Sequence, residues 1–341
     1  MESQGVDLMT PQMVDSSSTS GAPQAFGDRL DQLVSQRSSQ LVLGLDPDPA
    51  RLWPHAIELA RGAGDTPAPQ IASGAEWFDP VAMQAARAVT HHCRLAIDSA
   101  GQECVAVKFQ VACFERLGAP GWGALKESAD YARQAGLLVI ADAKRGDVSV
   151  TAAAYAQAFF GATPTAFGEV HGLGADAMTA NPLLGVDSLE PLVQSARSVG
   201  SGLLVLVRTS NPGANDVQEA ELADGASLSE RLAQLVARLG APGVGESGLS
   251  DVGAVVGATA PGRLARMREL MPSAVFLLPG VGPQGGRVED LAPAFAPGRG
   301  GGLVSASRSI VFAHERDGGD PESAAQREAA RLRGLAWSIS G

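Results

Sequence analysis

Short apolar runs alternate with longer stretches whose apolar residues recur at helical spacing, and the alternation continues along almost the whole chain. The runs are QLVLGLD (40–46), CVAVKF (104–109), LLVIAD (137–142), DAMTAN (176–181), GLLVLVR (202–208), VGAVVG (252–257), AVFLLP (274–279) and GLVSAS (302–307). A nearly continuous apolar run of this length, bounded by turn residues, predicts a strand buried on both faces. Helical spacing is found in DPVAMQAARAVTHHCRLAIDSA, GWGALKESADYARQAG, TAAAYAQAFFG, SLEPLVQSARSVG, SLSERLAQLVARLG and PGRLARMRELMP, and after the last strand in PESAAQREAARLRGLAWSI. The segment after the seventh strand is too rich in proline and glycine to read as a helix.

Buried strands alternating with helices predict a parallel sheet covered by helices, and eight such units predict a single-domain (β/α)8 TIM barrel. An open doubly wound sheet is the alternative. Two inserts rich in Pro, Gly and Ala, GAGDTPAPQIASGA and NPGANDVQEAELADGA, read as loops within that domain. Residues 1–25 are small and polar and predict a disordered tail, with the barrel domain over 26–341.

Composition narrows the function. The net charge of -11 opposes a polyanion, so no nucleic acid is expected as partner. With no apolar run near the ~20 residues of a membrane span, none is expected in a membrane either. Cys93, Cys104 and Cys113 are odd in number and form no CxxC pair, which fits a reducing cytoplasm. His91-His92 has neither HExxH nor Cys/His metal spacing around it, so no metal is expected.

Chemistry-bearing residues collect at the C-terminal ends of the strands, where barrels of this type build their sites. Strand one ends in Asp46 and strand two in Lys108; strand three ends in Asp142, followed by Lys144 and Asp147. Strand five runs into Arg208-Thr209-Ser210-Asn211, and strand eight into Ser305, Ser307 and Arg308. If strand geometry persists past Asp142, its side chain and that of Lys144 point to the same side while Ala143 faces away. Lys108 then completes a Lys–Asp–Lys row from the neighbouring strand, and Asp147, from this chain or another subunit, would bring it to neutrality. A salt-bridge cluster closing the barrel end is the alternative reading of the same spacing. PGVGPQGG contains G-x-G-x-x-G at Gly280, Gly282 and Gly285, but no acidic residue ends the next strand as a dinucleotide site requires. Glycine amides after strand seven with Arg308 after strand eight fit a phosphate monoester instead.

The motifs LVLGLDPDP, VAVKFQVACFERLG, VIADAKRGDV, TANPLLGVDSLEPL, VRTSNPGA, VGAVVGATAP, LLPGVGPQGG and SASRSI stand in one order from about Phe26 onward. In that order the chain resembles the orotidine 5'-phosphate decarboxylase family, in its bacterial form with the longer DAKRGD-type motif. The resemblance implies conversion of orotidine 5'-monophosphate to uridine 5'-monophosphate and carbon dioxide, in de novo pyrimidine biosynthesis, with neither metal nor organic cofactor. It implies that Lys144 stabilises the C6 carbanion and protonates it, and that Asp142 lies beside the departing carboxylate. Lys108 and Asp46 would hold the ribose hydroxyls, Ser210 the pyrimidine edge, and Gln284 and Arg308 the phosphate. In a homodimer, Asp147 and Thr151 would come from the neighbouring subunit. Val148-Ser149-Val150 departs from the family's I-G-S at the helix entry, and Pro283 stands where alanine is common. Magnesium-dependent sugar-phosphate enzymes share Asp-x-Lys-x-x-Asp but not the SNPGA run, and retained activity in EDTA separates the two readings. Arg145 reads as a surface or interface ion-pair partner, His171 as a structural residue, and Trp53, Trp77, Trp122 and Trp337 as packing.

Overall fold

The computed structural model describes residues 23–62 and 79–341. Eight parallel strands close into a barrel: β1 (Leu41–Leu45), β2 (Ala106–Gln110), β3 (Leu138–Arg145), β4 (Ala177–Ala180), β5 (Gly202–Arg208), β6 (Val252–Val256), β7 (Phe276–Leu278) and β8 (Gly302–Ala306). Each pairs with its neighbours in sequence, and β1 pairs with β8 to close the ring. All eight predicted strands are present, with ends moved by up to three residues. The fold is the (β/α)8 TIM barrel expected from the sequence. The expected tail over 1–25 lies almost wholly outside the described residues, as do most of the first insert and Trp77.

Alternation divides the barrel into two cores. Leu41, Leu43 and Leu45 face outward among the helices, in one cluster with Val107, Phe109, Val139 and Met178. Val42, Ala106, Leu138, Ile140, Leu204 and Leu277 face inward and fill the base of the barrel. A helix at Phe26–Arg37, which the sequence reading did not identify, supplies Phe26, Leu30 and Val34 to this inner cluster and seals the base. Farther along the same inward rows the residues turn polar: Ala106 is followed by Lys108 and Gln110, and Ile140 by Asp142. Register sets Gln110 level with Asp142 and Lys108 level with Ile140. The inward column thus changes from a dry base to a charged mouth within a few residues of each strand.

Helices cover the outside as the spacing predicts, and their ends follow local rules. Asp79 caps the helix Pro80–Ala100 by accepting from the Val81 amide. The second insert ends in a capping box, Ser227 with Glu230, that starts the helix Leu228–Gly240. Within that insert only Ala214–Val217 is helical. The segment after β7 forms 3-10 turns at Val288–Phe295 and Arg299–Gly301. A two-stranded antiparallel hairpin, Ala162–Thr165 with Gly168–His171, follows the helix Ser149–Phe159 and was not anticipated. His171 is exposed on it.

Candidate active site

A cavity of about 500 Å³ opens at the C-terminal end of the barrel. Asp46, Lys108, Asp142, Lys144, Ser210, Gln284 and Arg308 all line it. Its floor is a chain of alternating charge. Lys108 Nζ lies 3.4 Å from Asp46 Oδ1 and 3.0 Å from Asp142 Oδ2, and Lys144 Nζ lies 2.6 Å from Asp142 Oδ1. Lys108 and Asp142 are buried, whereas Lys144 and Asp46 are partly open to the cavity. The two ammonium and two carboxylate groups balance within one chain.

Burial of Asp142 favours its neutral form, but the charges and hydrogen bonds of Lys108 and Lys144 overcome this and hold its carboxyl well below the usual carboxylate range. Burial likewise works against a charged Lys108, yet Asp46 and Asp142 raise its pKa well above that of a free lysine. Each buried charge is therefore kept ionised by its neighbours. Asp142 has two further donors, Gln110 Nε2 at 3.1 Å and Thr179 Oγ1 at 2.8 Å.

β3 continues past Asp142 to Arg145, but without the regular alternation that the spacing assumed. Pairing of β3 with β4 is interrupted between Ala141 and Arg145, and Lys144 adopts a left-handed backbone with φ of 50°. Its ammonium nevertheless returns to Asp142, so the two side chains meet by a bulge and not by simple alternation.

The opposite wall comes from the loops after β5, β7 and β8. Gly280 has φ of 101°, and a Cβ there would stand 2.9 Å from Ser210 Cβ and 3.0 Å from Gln284 Oε1. Glycine is required on both counts, and its absent side chain lets Ser210 approach Gln284. Arg308 begins the short helix Arg308–Val311. Thr209 is held by its amide donating to Gln218 Oε1 at 2.8 Å, which fixes the start of the insert against the cavity.

Two predicted residues lie apart. Asp147 is not among the cavity-lining residues of its own chain; its Oδ1 accepts from the Val148 amide at 2.8 Å. Thr151 is exposed on the helix Ser149–Phe159. Within one chain the fourth charge of the row is Asp46. Arg145 pairs with Glu115, outside the cavity.

A family model described as Orotidine 5'-phosphate decarboxylase / HUMPS family matches residues 39–327. The chain belongs to this family. It is 46% identical over 235 residues to the orotidine 5'-phosphate decarboxylase of Deinococcus radiodurans, covering 69% of this chain and 79% of that protein. It is 37% identical over 307 residues to the one from Roseiflexus castenholzii, covering 90% and 94%. Among solved structures, Leishmania donovani OMP decarboxylase aligns with a TM-score of 0.64 at 30% identity, over 92% of this chain and 99% of that one.

Some residues of this orotidine 5'-phosphate decarboxylase family site escaped the sequence reading. Gln110 stands two positions beyond Lys108 and so shares its face, a signal that the alternation contained. Thr179 was overlooked because β4 ends in no charge, although a hydroxyl inside AMTA is itself a polar mark in an apolar strand. Gln218 reaches the cavity from within the insert, and no local pattern marks it. Among the described residues no three His, Cys, Asp or Glu side chains converge as a metal site would require, and no helix is long and apolar enough to cross a membrane.

Proposed function

We propose that this chain decarboxylates orotidine 5'-monophosphate to uridine 5'-monophosphate in de novo pyrimidine biosynthesis, with Lys144 as the proton donor. The observation that carries the reading is the Asp46–Lys108–Asp142–Lys144 chain on the floor of a cavity whose far wall holds Ser210, Gln284 and Arg308. Phosphate bound at Gln284 and Arg308 and a pyrimidine edge at Ser210 direct C6 toward Lys144, while Asp46 and Lys108 meet the ribose hydroxyls. The C6–carboxylate bond breaks, its electron pair stays on C6, and carbon dioxide leaves. The Lys144 ammonium faces that developing charge and then passes its proton to C6. Fixed charges act most strongly where charge appears during reaction. Asp142 lies beside the departing carboxylate and, with Thr179 and Gln110, keeps the ammonium in place. Electron pair and proton are both accounted for without a metal or organic cofactor.

Asp147 and Thr151 are assigned to the site of a second copy in a homodimer. Support comes from the helix Ser149–Phe159, which carries no charged residue and turns Val150, Ala153, Ala154 and Ala158 outward. The other long barrel helices keep charges on their outer sides, and a surface helix without them is one that something covers. Val148, Leu183 and Leu184 are exposed near its start, and Phe167 and Val170 on the hairpin beyond its end. A cytoplasmic location accords with three free cysteines.

The test is the loss of orotate-ring ultraviolet absorbance on adding orotidine 5'-monophosphate, with and without EDTA. Wild type should turn over equally in both, and Lys144→Ala should bind uridine 5'-monophosphate yet fail to turn over. Full turnover by Lys144→Ala would remove it as proton donor; activity that EDTA abolishes would favour the magnesium-dependent alternative.

A further inference from the structure

The interruption between β3 and β4 has an unusual form. Ala141 pairs with Met178 and Arg145 with Ala180, so Asp142, Ala143 and Lys144 all lie opposite the single residue Thr179. An insertion of this kind takes backbone N–H groups out of the ladder, and a buried N–H without a partner is strongly unfavourable. The Lys144 amide finds its partner in a side chain: it donates to Thr179 Oγ1 at 2.9 Å. The amide can only donate, so the single hydroxyl proton is free to point to Asp142 Oδ1, 2.8 Å away. The same carboxylate oxygen receives Lys144 Nζ at 2.6 Å. The bonds form a closed ring from the Lys144 backbone through Thr179 and Asp142 to the Lys144 ammonium.

We propose that Thr179 is a positioning residue of the reaction: it props the β3 bulge so that Lys144 folds back over the strand end and presents its ammonium beside Asp142. Thr179 is buried and is not among the residues lining the cavity, so it acts through its two partners and not on the substrate. A left-handed backbone is disfavoured for lysine, and the hydroxyl supplies the local bond that holds it there. Neither a valine nor an alanine can replace that bond, whereas a serine can. The inference rests on the assignment of Lys144 as proton donor, and the test separates the two.

Thr179→Ser and Thr179→Ala both lose the methyl group and differ only in the hydroxyl; Thr179→Val keeps the shape and loses the hydroxyl. Steady-state kinetics should give kcat lowered by roughly 100-fold in the Ala and Val variants, the size of effect a misplacement near 1 Å produces. KM and the affinity for uridine 5'-monophosphate should stay within about threefold of wild type, and Ser should restore most of kcat. If Val does not fold, the Ser and Ala pair still decides. Equal kcat in Ser and Ala would overturn the proposal, as would a parallel loss of kcat and product affinity in the variants that lack the hydroxyl. Crystal structures of the Ala or Val variant give a readout without substrate. Lys144 should leave its left-handed conformation; if its backbone and its contact with Asp142 stay unchanged, Thr179 does not position it, whatever the reaction proves to be.

Discussion

Replacing Lys108 with methionine tests the charge network most directly, because Met keeps the length of the buried stem and removes only the ammonium. At an effective dielectric of about 20, unit charges at the observed 3.0 Å attract by roughly 5.5 kcal/mol. Part of that is offset by the cost of burying the lysine, which the variant no longer bears, and breaking a buried pair from one side typically costs about 3–5 kcal/mol. Asp142 keeps Lys144, Gln110 and Thr179 as donors, which sets the expectation at the lower end, about 3 kcal/mol. Lys144→Met removes the shorter contact, yet the Lys144 side chain is 43% exposed and water takes over much of its role. Its loss should cost about 1 kcal/mol. Urea unfolding of wild type and both variants, at one protein concentration and followed by circular dichroism, measures the difference. Lys108→Met should be the less stable by about 2 kcal/mol with unchanged m-values. Equal stabilities, or the reverse order, would refute the claim that burial and not contact distance sets the strength of these pairs.

Three other outcomes follow from the same geometry. Arg308→Ala should weaken uridine 5'-monophosphate binding on the order of 10–100-fold in calorimetry while leaving the affinity for uridine unchanged; an equal loss for both would move Arg308 away from the phosphate. Mixing Lys144→Ala with Asp147→Ala subunits, after exchange is verified, should restore up to about a quarter of wild-type sites, since half the dimers are hybrid and each hybrid has one intact site; no recovery would place Asp147 in its own chain's site. Burial and then the charge of His314 lower the pKa of His92 to about 4, and its Nδ1 accepts from the Trp53 amide at 3.2 Å. Because the unfolded chain takes up this proton first, stability should be complete above about pH 6.5 and fall by about 2 kcal/mol at pH 5, with no further loss from this group below pH 4. His92→Asn should flatten that slope in thermal melts, and an unaltered slope would rule His92 out as its source.

The barrel was legible because its strands are apolar on both faces and stand out against amphipathic helices; LLVIAD and GLLVLVR need no tertiary information to be read. The helix Phe26–Arg37 was not, since its sequence is mostly polar and its apolar contribution to the core is confined to Phe26, Leu30, Val34 and a partly buried Leu33. The hairpin was hidden for a related reason: ATPT and GEVH are exposed, so their side chains carry no trace of a buried face. At the site, strand-end position brought seven of the predicted residues to one cavity, because in a barrel all strand ends converge. The bulge at Lys144 escaped, since the conformation depends on a hydroxyl 35 positions away and nothing within AKRGD encodes it. Asp46 was legible as a strand-end residue, but its ion pair with Lys108 was not, because that contact is set by the pairing of two strands far apart in the sequence.

The hairpin Ala162–Thr165 and Gly168–His171 has one more implication. A closed barrel exposes no unpaired strand, but this two-stranded ribbon has two outer margins whose amide and carbonyl groups lack a ladder partner. With Phe167 at its tip, it is the part of the described molecule best suited to recruit another extended peptide by strand addition. Conditions that separate the proposed dimer or partly unfold the chain should therefore produce aggregates that begin at this ribbon, and a lysine placed along its margin should delay them.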